Sequence, residues 1–293
     1  MHFALFLPNF GPFGDPGEVV RLARDAEDAG WDGVFLWDHI AFERRNEQPV
    51  LDPWIALAAI AACTSHISLG TMVTPLARRR PWKVARETVT LDQLSGGRLV
   101  LGVGLGFPPD AEFSAFGEEA DARIRAAKLD EGLAILAGLW KGRSFSLDGD
   151  HFRVRDVTFR PTPARGPRIP VWCAGWWPNR APFRRAARWD GVVPEKVGGA
   201  TPSPKEVSEI ARYVGRFREA PEPFDIAING YSDGADSREL MRAYEAAGAT
   251  WWLERIDPTR LFTLDEARSR VRAGPPGPNL RGGVMPTEEG AAP

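Results

Sequence analysis

The dipeptide Asp38-His39 is the clearest place for chemistry in this chain. It follows an apolar run, Gly33-Val34-Phe35-Leu36-Trp37, with no intervening turn. Histidine changes charge near neutral pH, so a His held at the end of a rigid strand can give or take a proton. The other three histidines are placed less usefully. His2 begins the first apolar run, His66 precedes the third, and His151 lies in a polar turn. Three further stretches have the composition of a cradle for a flat, phosphate-bearing ligand. Gly70-Thr71-Met72-Val73-Thr74-Pro75 and Gly102-Val103-Gly104-Leu105-Gly106 end apolar runs, and their glycines let a ring approach the backbone. Cys173-Ala174-Gly175-Trp176-Trp177 ends another and leads through Asn179 to Arg180 at a helix start, where free N–H groups and a guanidinium suit a phosphate. There is no Gly-x-Ser-x-Gly elbow, no Walker loop and no converging set of metal ligands. A chain with one well-placed His and few other reactive groups borrows its chemistry from an organic cofactor.

The elements that must position these residues alternate. Short apolar runs at 3–7, 33–37, 67–73, 98–103, 169–174, 191–193, 224–228 and 250–253 read as buried strands, and amphipathic stretches between them read as helices. Asp15-Pro16-Gly17-Glu18, Asp52-Pro53 and Arg80-Pro81 open helices; the first has the form of a capping box. The longest helix is expected from about Ala120 to Trp140. Residues 144–159 break the rhythm as a hairpin around Asp148-Gly149-Asp150. Eight β/α units that close once form a (β/α)₈ TIM barrel, an α/β fold, over residues 1–273 with the hairpin inserted before the fifth strand. Residues 274–293, rich in Gly and Pro, read as a disordered tail. An open doubly wound sheet is the alternative. Against it, the Gly102 run lacks the third glycine of a dinucleotide fingerprint and continues into Pro108-Pro109, where a helix should open. In a barrel the loops after strands form the working face, which keeps His39 and sets the other three histidines aside.

The 293 residues carry 37 Lys+Arg against 39 Asp+Glu, a net charge of −2, which excludes a protein built to neutralise nucleic acid. Cys63 and Cys173 cannot make a disulfide framework. No signal peptide or membrane-length apolar run is present, so a cytoplasmic protein is expected. Eleven Trp stand against three Tyr. Trp37, Trp172, Trp176, Trp177, Trp251 and Trp252 fall in or just after strands towards the carboxyl end; strand alternation must turn some of them to the helices, and the rest are expected to form an aromatic rim.

Taken together, the stretches 3–8, 30–39 and 69–75, Arg80-Pro81, Leu91-Asp92-Gln93-Leu94-Ser95-Gly96-Gly97-Arg98, Leu101–Gly106 and Trp189-Asp190-Gly191 resemble the bacterial luciferase-like superfamily of flavin- and deazaflavin-dependent oxidoreductases, over about residues 1–270. The resemblance implies a barrel with coenzyme F420 or FMN at the strands' carboxyl ends. It places Asp38 and His39 beside the ring, an arrangement that favours F420. It implies Thr71 and a cis Met72–Val73 peptide bulging against the ring's back face, and Gly104, Leu105 and Gly106 along its edge. Ala174, Gly175 and Trp176, with Arg180, Glu195 and Lys196, are implied at the phosphate. His39 would move a proton in hydride transfer or take part in monooxygenation. Some F420-dependent members carry a Glu where this chain has Phe107, which points away from sugar phosphates and toward a small apolar substrate. A homodimer and a partner reductase are family expectations. Two other readings stay open: a non-catalytic flavin-binding barrel, and a sugar or metal enzyme of another lineage.

Overall fold

The computed structural model describes residues 1–232, 237–257, 260 and 263–276. Eight parallel strands close in the order β1-β10-β9-β8-β7-β4-β3-β2. They are β1 (His2–Leu7), β2 (Gly33–Leu36), β3 (Ser68–Pro75), β4 (Leu99–Gly104), β7 (Val171–Trp177), β8 (Gly191–Lys196), β9 (Asp225–Gly230) and β10 (Trp251–Arg255). The expected hairpin is present as an antiparallel pair, β5 (Phe145–Asp148) and β6 (Arg153–Val157). The helices are α1 (Pro16–Asp28), α2 (Pro53–Cys63), α3 (Pro81–Leu94), α4 (Pro109–Glu112), α5 (Ala122–Trp140), α6 (Arg180–Ala186), α7 (Pro204–Gly215), α8 (Arg238–Ala246) and α9 (Leu264–Arg272). This is the (β/α)₈ barrel read from the sequence, with the hairpin before the fifth barrel strand. Most of the expected tail, residues 277–293, lies outside the described residues.

The strands read as unbroken apolar runs because both of their faces are buried. Leu5, Leu7, Val34, Leu36, Leu101 and Val171 pack outward against the helices. Ala4, Phe6, Phe35, Met72, Val100, Trp172, Val193, Ala227, Trp251 and Leu253 fill the interior. The Asp-Pro openings act as expected: Asp15 accepts from the Gly17 and Glu18 N–H groups, and Asp52 from Ile55. The box expected at Glu18 does not close. Its carboxylate takes Arg21 and Arg268 instead. The Ser-Gly-Gly-Arg stretch is scaffold. Arg98 donates to the carbonyls of Ala61, Thr64 and Ile67, tying the end of α2 to the start of β3.

The aromatic rim is corrected. Trp172 is the second residue of β7 and Trp251 the first of β10, so both lie low in the barrel. They touch each other with ring centroids 5.4 Å apart, and Trp251 stacks on His2. Trp177 and Trp252 face the helices, as alternation requires of some of the six. Of the six, Trp37 and Trp176 stand at the mouth.

Candidate active site

His39 follows β2 and is fixed on several sides. Its N–H donates to Asn9 Oδ1 at 3.2 Å, and its carbonyl accepts from Asn9 Nδ2 at 2.8 Å. Phe10, Trp37 and Phe42 pack around the ring. Its Nδ1 lies 3.2 Å from Glu112 Oε1, and its side chain is 16% exposed. Glu112 sits in α4, just past the double proline. Its buried carboxylate also accepts the backbone N–H groups of Ile40, Ala41 and Phe42 at 3.1, 3.1 and 2.6 Å, together with Arg78. Burial alone would push this carboxyl up. The bond from His39, those from Phe42 and Ile40, and the charge of Arg78 outweigh burial and bring it down to about 2. An ionised partner only accepts, so the proton of neutral His39 belongs on Nδ1, an assignment made from the hydrogen-bond network. Nε2 then carries the lone pair, and it bonds to no described residue.

Asp38 is buried, and its carboxylate is taken up by its neighbours. Arg79 Nη2 donates at 2.8 and 2.9 Å, Arg78 Nη2 at 3.2 Å and Trp54 Nε1 at 3.3 Å. Arg78 therefore links Asp38 to Glu112 beneath His39. Glu112, Arg78, Arg79 and Asn9 were absent from the sequence reading. One signal for Glu112 was available: Pro109 with acids in the first turn repeats the helix openings used elsewhere.

On the adjacent strand, β3 slips against β4. Thr71 lies opposite Leu101 but Thr74 opposite Val103, so Met72 and Val73 together face Gly102. The Met72–Val73 peptide is cis. The Thr71 and Thr74 hydroxyls bond to each other at 2.7 Å beneath the bulge. Gly104 is shaped by the same feature, because a Cβ there would sit 2.6 Å from Val73 Cγ2. The Leu105 and Gly106 carbonyls accept from Arg125 Nη1 at 2.7 and 2.9 Å, so the loop after β4 is held from α5.

β7 pairs with β4 only through Cys173, which leaves the β4-facing edge of Ala174, Gly175 and Trp176 without a ladder partner. That open edge, next to the start of α6, has the donors a phosphate needs. Trp176 meets Phe107, which is 56% exposed, with ring centroids 5.5 Å apart. Arg180 lies on the outer wall, stacked over Trp177 at 4.0 Å and Tyr213 at 4.6 Å. Glu195 faces the mouth. Lys196 alternates outward and pairs with Glu206 at 3.1 Å. The structure thus gathers His39, Met72, Val73, Gly104, Ala174, Trp176 and Glu195 at one end of the barrel and turns Asp38, Arg180 and Lys196 away from its axis.

The fold and site define a (β/α)₈ barrel protein whose carboxyl-end mouth holds a backbone bulge, an open strand edge and one fixed histidine. A family model described as luciferase-like monooxygenase matches residues 1–251, and the chain belongs to that family. It is 35% identical over 160 residues to the F420-dependent hydroxymycolic acid dehydrogenase of Mycobacterium tuberculosis, covering 54% of this chain and 44% of that protein. It is 33% identical over 191 residues to the F420-dependent glucose-6-phosphate dehydrogenase of Nakamurella multipartita, covering 64% and 54%. The chain spans about half the length of these curated relatives. Among solved structures, a monooxygenase of Streptomyces bottropensis aligns over 93% of this chain and 97% of its own, with a TM-score of 0.71 at 23% identity. An F420-dependent secondary alcohol dehydrogenase bound to an F420-acetone adduct aligns over 93% and 98%, with a TM-score of 0.74 at 18% identity. Among the described residues, no helix is long and apolar enough to cross a membrane.

Proposed function

We propose that this chain is an oxidoreductase that uses coenzyme F420, or alternatively FMN, on a small organic substrate. The observation that carries the reading is the His39–Glu112 pair beside the Met72–Val73 bulge on neighbouring strands. The names of the F420-dependent relatives support the cofactor class and lean toward F420. The residues fit such a group: the bulge offers a platform at the mouth, Gly104 and Ala174 keep it free of bulk, and the β4-facing edge of β7 beyond Cys173 is left open to a phosphate. When bound, the cofactor supplies a carbon or nitrogen centre that exchanges hydride with substrate, or activates oxygen if it is FMN.

The chain's own contribution is proton handling and positioning. Glu112 holds the His39 proton on Nδ1, so neutral His39 takes a substrate proton at Nε2, and protonated His39 returns one there. Asp38 acts through Arg78 and Arg79, which brace the loop bearing His39. Phe6, Phe10 and Trp37 shield the proton transfer from water. A protein that only stored cofactor would have no use for a histidine held in one tautomer, and this favours catalysis. The separate reductase and the homodimer belong to the same proposal. α2 has no charged residue, and Ile55 on its outer face is 72% exposed, as expected of a helix covered by a second copy.

The test is to incubate the purified protein with reduced F420 or reduced FMN and a panel of ketones, and with oxidised F420 and the matching alcohols, then follow the redox state of the cofactor and oxygen uptake. Oxidation or reduction linked to substrate without oxygen uptake supports hydride transfer. Oxidation linked to oxygen and substrate supports monooxygenation. No substrate-linked turnover with either cofactor would overturn the reading.

A further inference from the structure

Three side chains on adjacent strands meet on the inner wall of the mouth. Ala174, Val193 and Ala227 belong to the interior core, and the residues two further on are Trp176, Glu195 and Asn229. Strand alternation keeps all three facing inward. The register agrees: Trp176 lies opposite Glu195, and Asn229 opposite Leu253, itself an interior residue. Asn229 is 0% exposed. Its Nδ2 donates to Glu195 Oε1 at 3.0 Å, and Trp176 Nε1 donates to the other Glu195 oxygen at 3.4 Å. Its Oδ1 has no partner. The amide cannot flip to improve matters, because that would set Oδ1 against a Glu195 oxygen. A buried acceptor of fixed direction is left waiting for a donor.

We infer that Asn229 and Glu195 form a recognition site for a hydrogen-bond donor, a hydroxyl or N–H, on a ring-sized apolar substrate. This rests on the reading of the mouth as a cofactor and substrate site, and it narrows the apolar substrate expected from Phe107. An anionic group does not suit the position. Glu195 would repel it, Lys196 is turned away to Glu206, and Arg255 is held by Asp257 at 3.1 Å and the Gly199 carbonyl at 2.8 Å. A wholly apolar group would leave Oδ1 desolvated and unpaired. A flat body is favoured by the Phe107–Trp176 pair beside the site.

The experiment uses 4-methylphenol, 4-methylanisole and 4-methylbenzoate as probes, titrated calorimetrically into the full chain with and without cofactor. 4-Methylphenol should bind at least about tenfold more tightly than either analogue. In Asn229→Leu the preference over 4-methylanisole should shrink to within about twofold while 4-methylanisole binding is retained, which also shows that the variant folds. In Glu195→Gln, 4-methylbenzoate should gain about tenfold as the like charge is removed. Equal binding of all three probes, no binding of 4-methylphenol, or a preference that survives in both variants overturns the inference. Failure of the wider functional reading is distinguishable: it appears as absent cofactor binding or turnover while the phenol preference persists in the cofactor-free protein.

Discussion

Replacing Glu112 by Gln isolates the charge that organises the loop after β2. Gln has the shape of the protonated acid but keeps only one accepting atom. Its NH₂ must face either the N–H groups of Ala41 and Phe42 or those of Ile40 and Arg78, all of them donors. The folded carboxyl lies at about 2 against an ordinary 4.5. At about 1.4 kcal/mol per tenfold in proton affinity, the ionised form is favoured by about 3 kcal/mol. A loss of that size matches the cost of breaking a buried charge pair, roughly 3–5 kcal/mol. For a domain of this size Glu112→Gln should lower Tm by roughly 5–10 °C at pH 7. The sign with pH follows from a depressed value: the contribution is complete above the ordinary value of 4.5 and is lost as pH falls toward 2. At pH 3 the gap between wild type and variant should therefore narrow to about 1–1.5 kcal/mol. Scanning calorimetry at both pH values reads it. A drop below about 2 °C at pH 7, or a gap that does not change with pH, refutes the reasoning.

Other outcomes can be checked in parallel. His39→Ala should lower turnover by about 10²–10⁴ while the cofactor dissociation constant, measured by fluorescence, changes little; unchanged turnover removes His39 from the mechanism. Arg125→Met frees the Leu105 and Gly106 carbonyls and should weaken cofactor binding by about tenfold, with equal affinity as the contrary result. Burial pushes the Cys173 thiol up to about 12, whereas Cys63 is exposed, so a thiol reagent should titrate one group in the native protein and two in denaturant. Ile55→Glu should convert a dimer to a monomer in sedimentation measurements; an unchanged mass places the contact elsewhere.

The barrel was legible because its strands are continuous apolar runs and its helices open at Asp-Pro and Arg-Pro steps, both of which are local signals. His39 was legible because it directly follows such a run. Glu112 was not, since its meeting with His39 spans 73 residues and only closure of the barrel brings them together. The double proline also read as a break, although Pro109 begins the short helix that carries Glu112. The tryptophans were misplaced by a boundary. The fifth barrel strand was read as 169–174, which put Trp172 near its end, whereas β7 runs Val171–Trp177 and leaves Trp172 near the floor. Likewise β8 continues to Lys196, so alternation sends Glu195 inward and Lys196 outward, a parity that a strand read as ending at Val193 could not supply.

The central claim is that the mouth between β2, β3, β4 and β7 holds a flavin-type ring, and titrating F420 and FMN separately against tryptophan fluorescence tests it most directly, with Trp37 and Trp176 as reporters. The account predicts saturable quenching by at least one of them, at one molecule per chain and a dissociation constant of about 10 µM or tighter. Unquenched fluorescence with both cofactors at about ten times that concentration would contradict it.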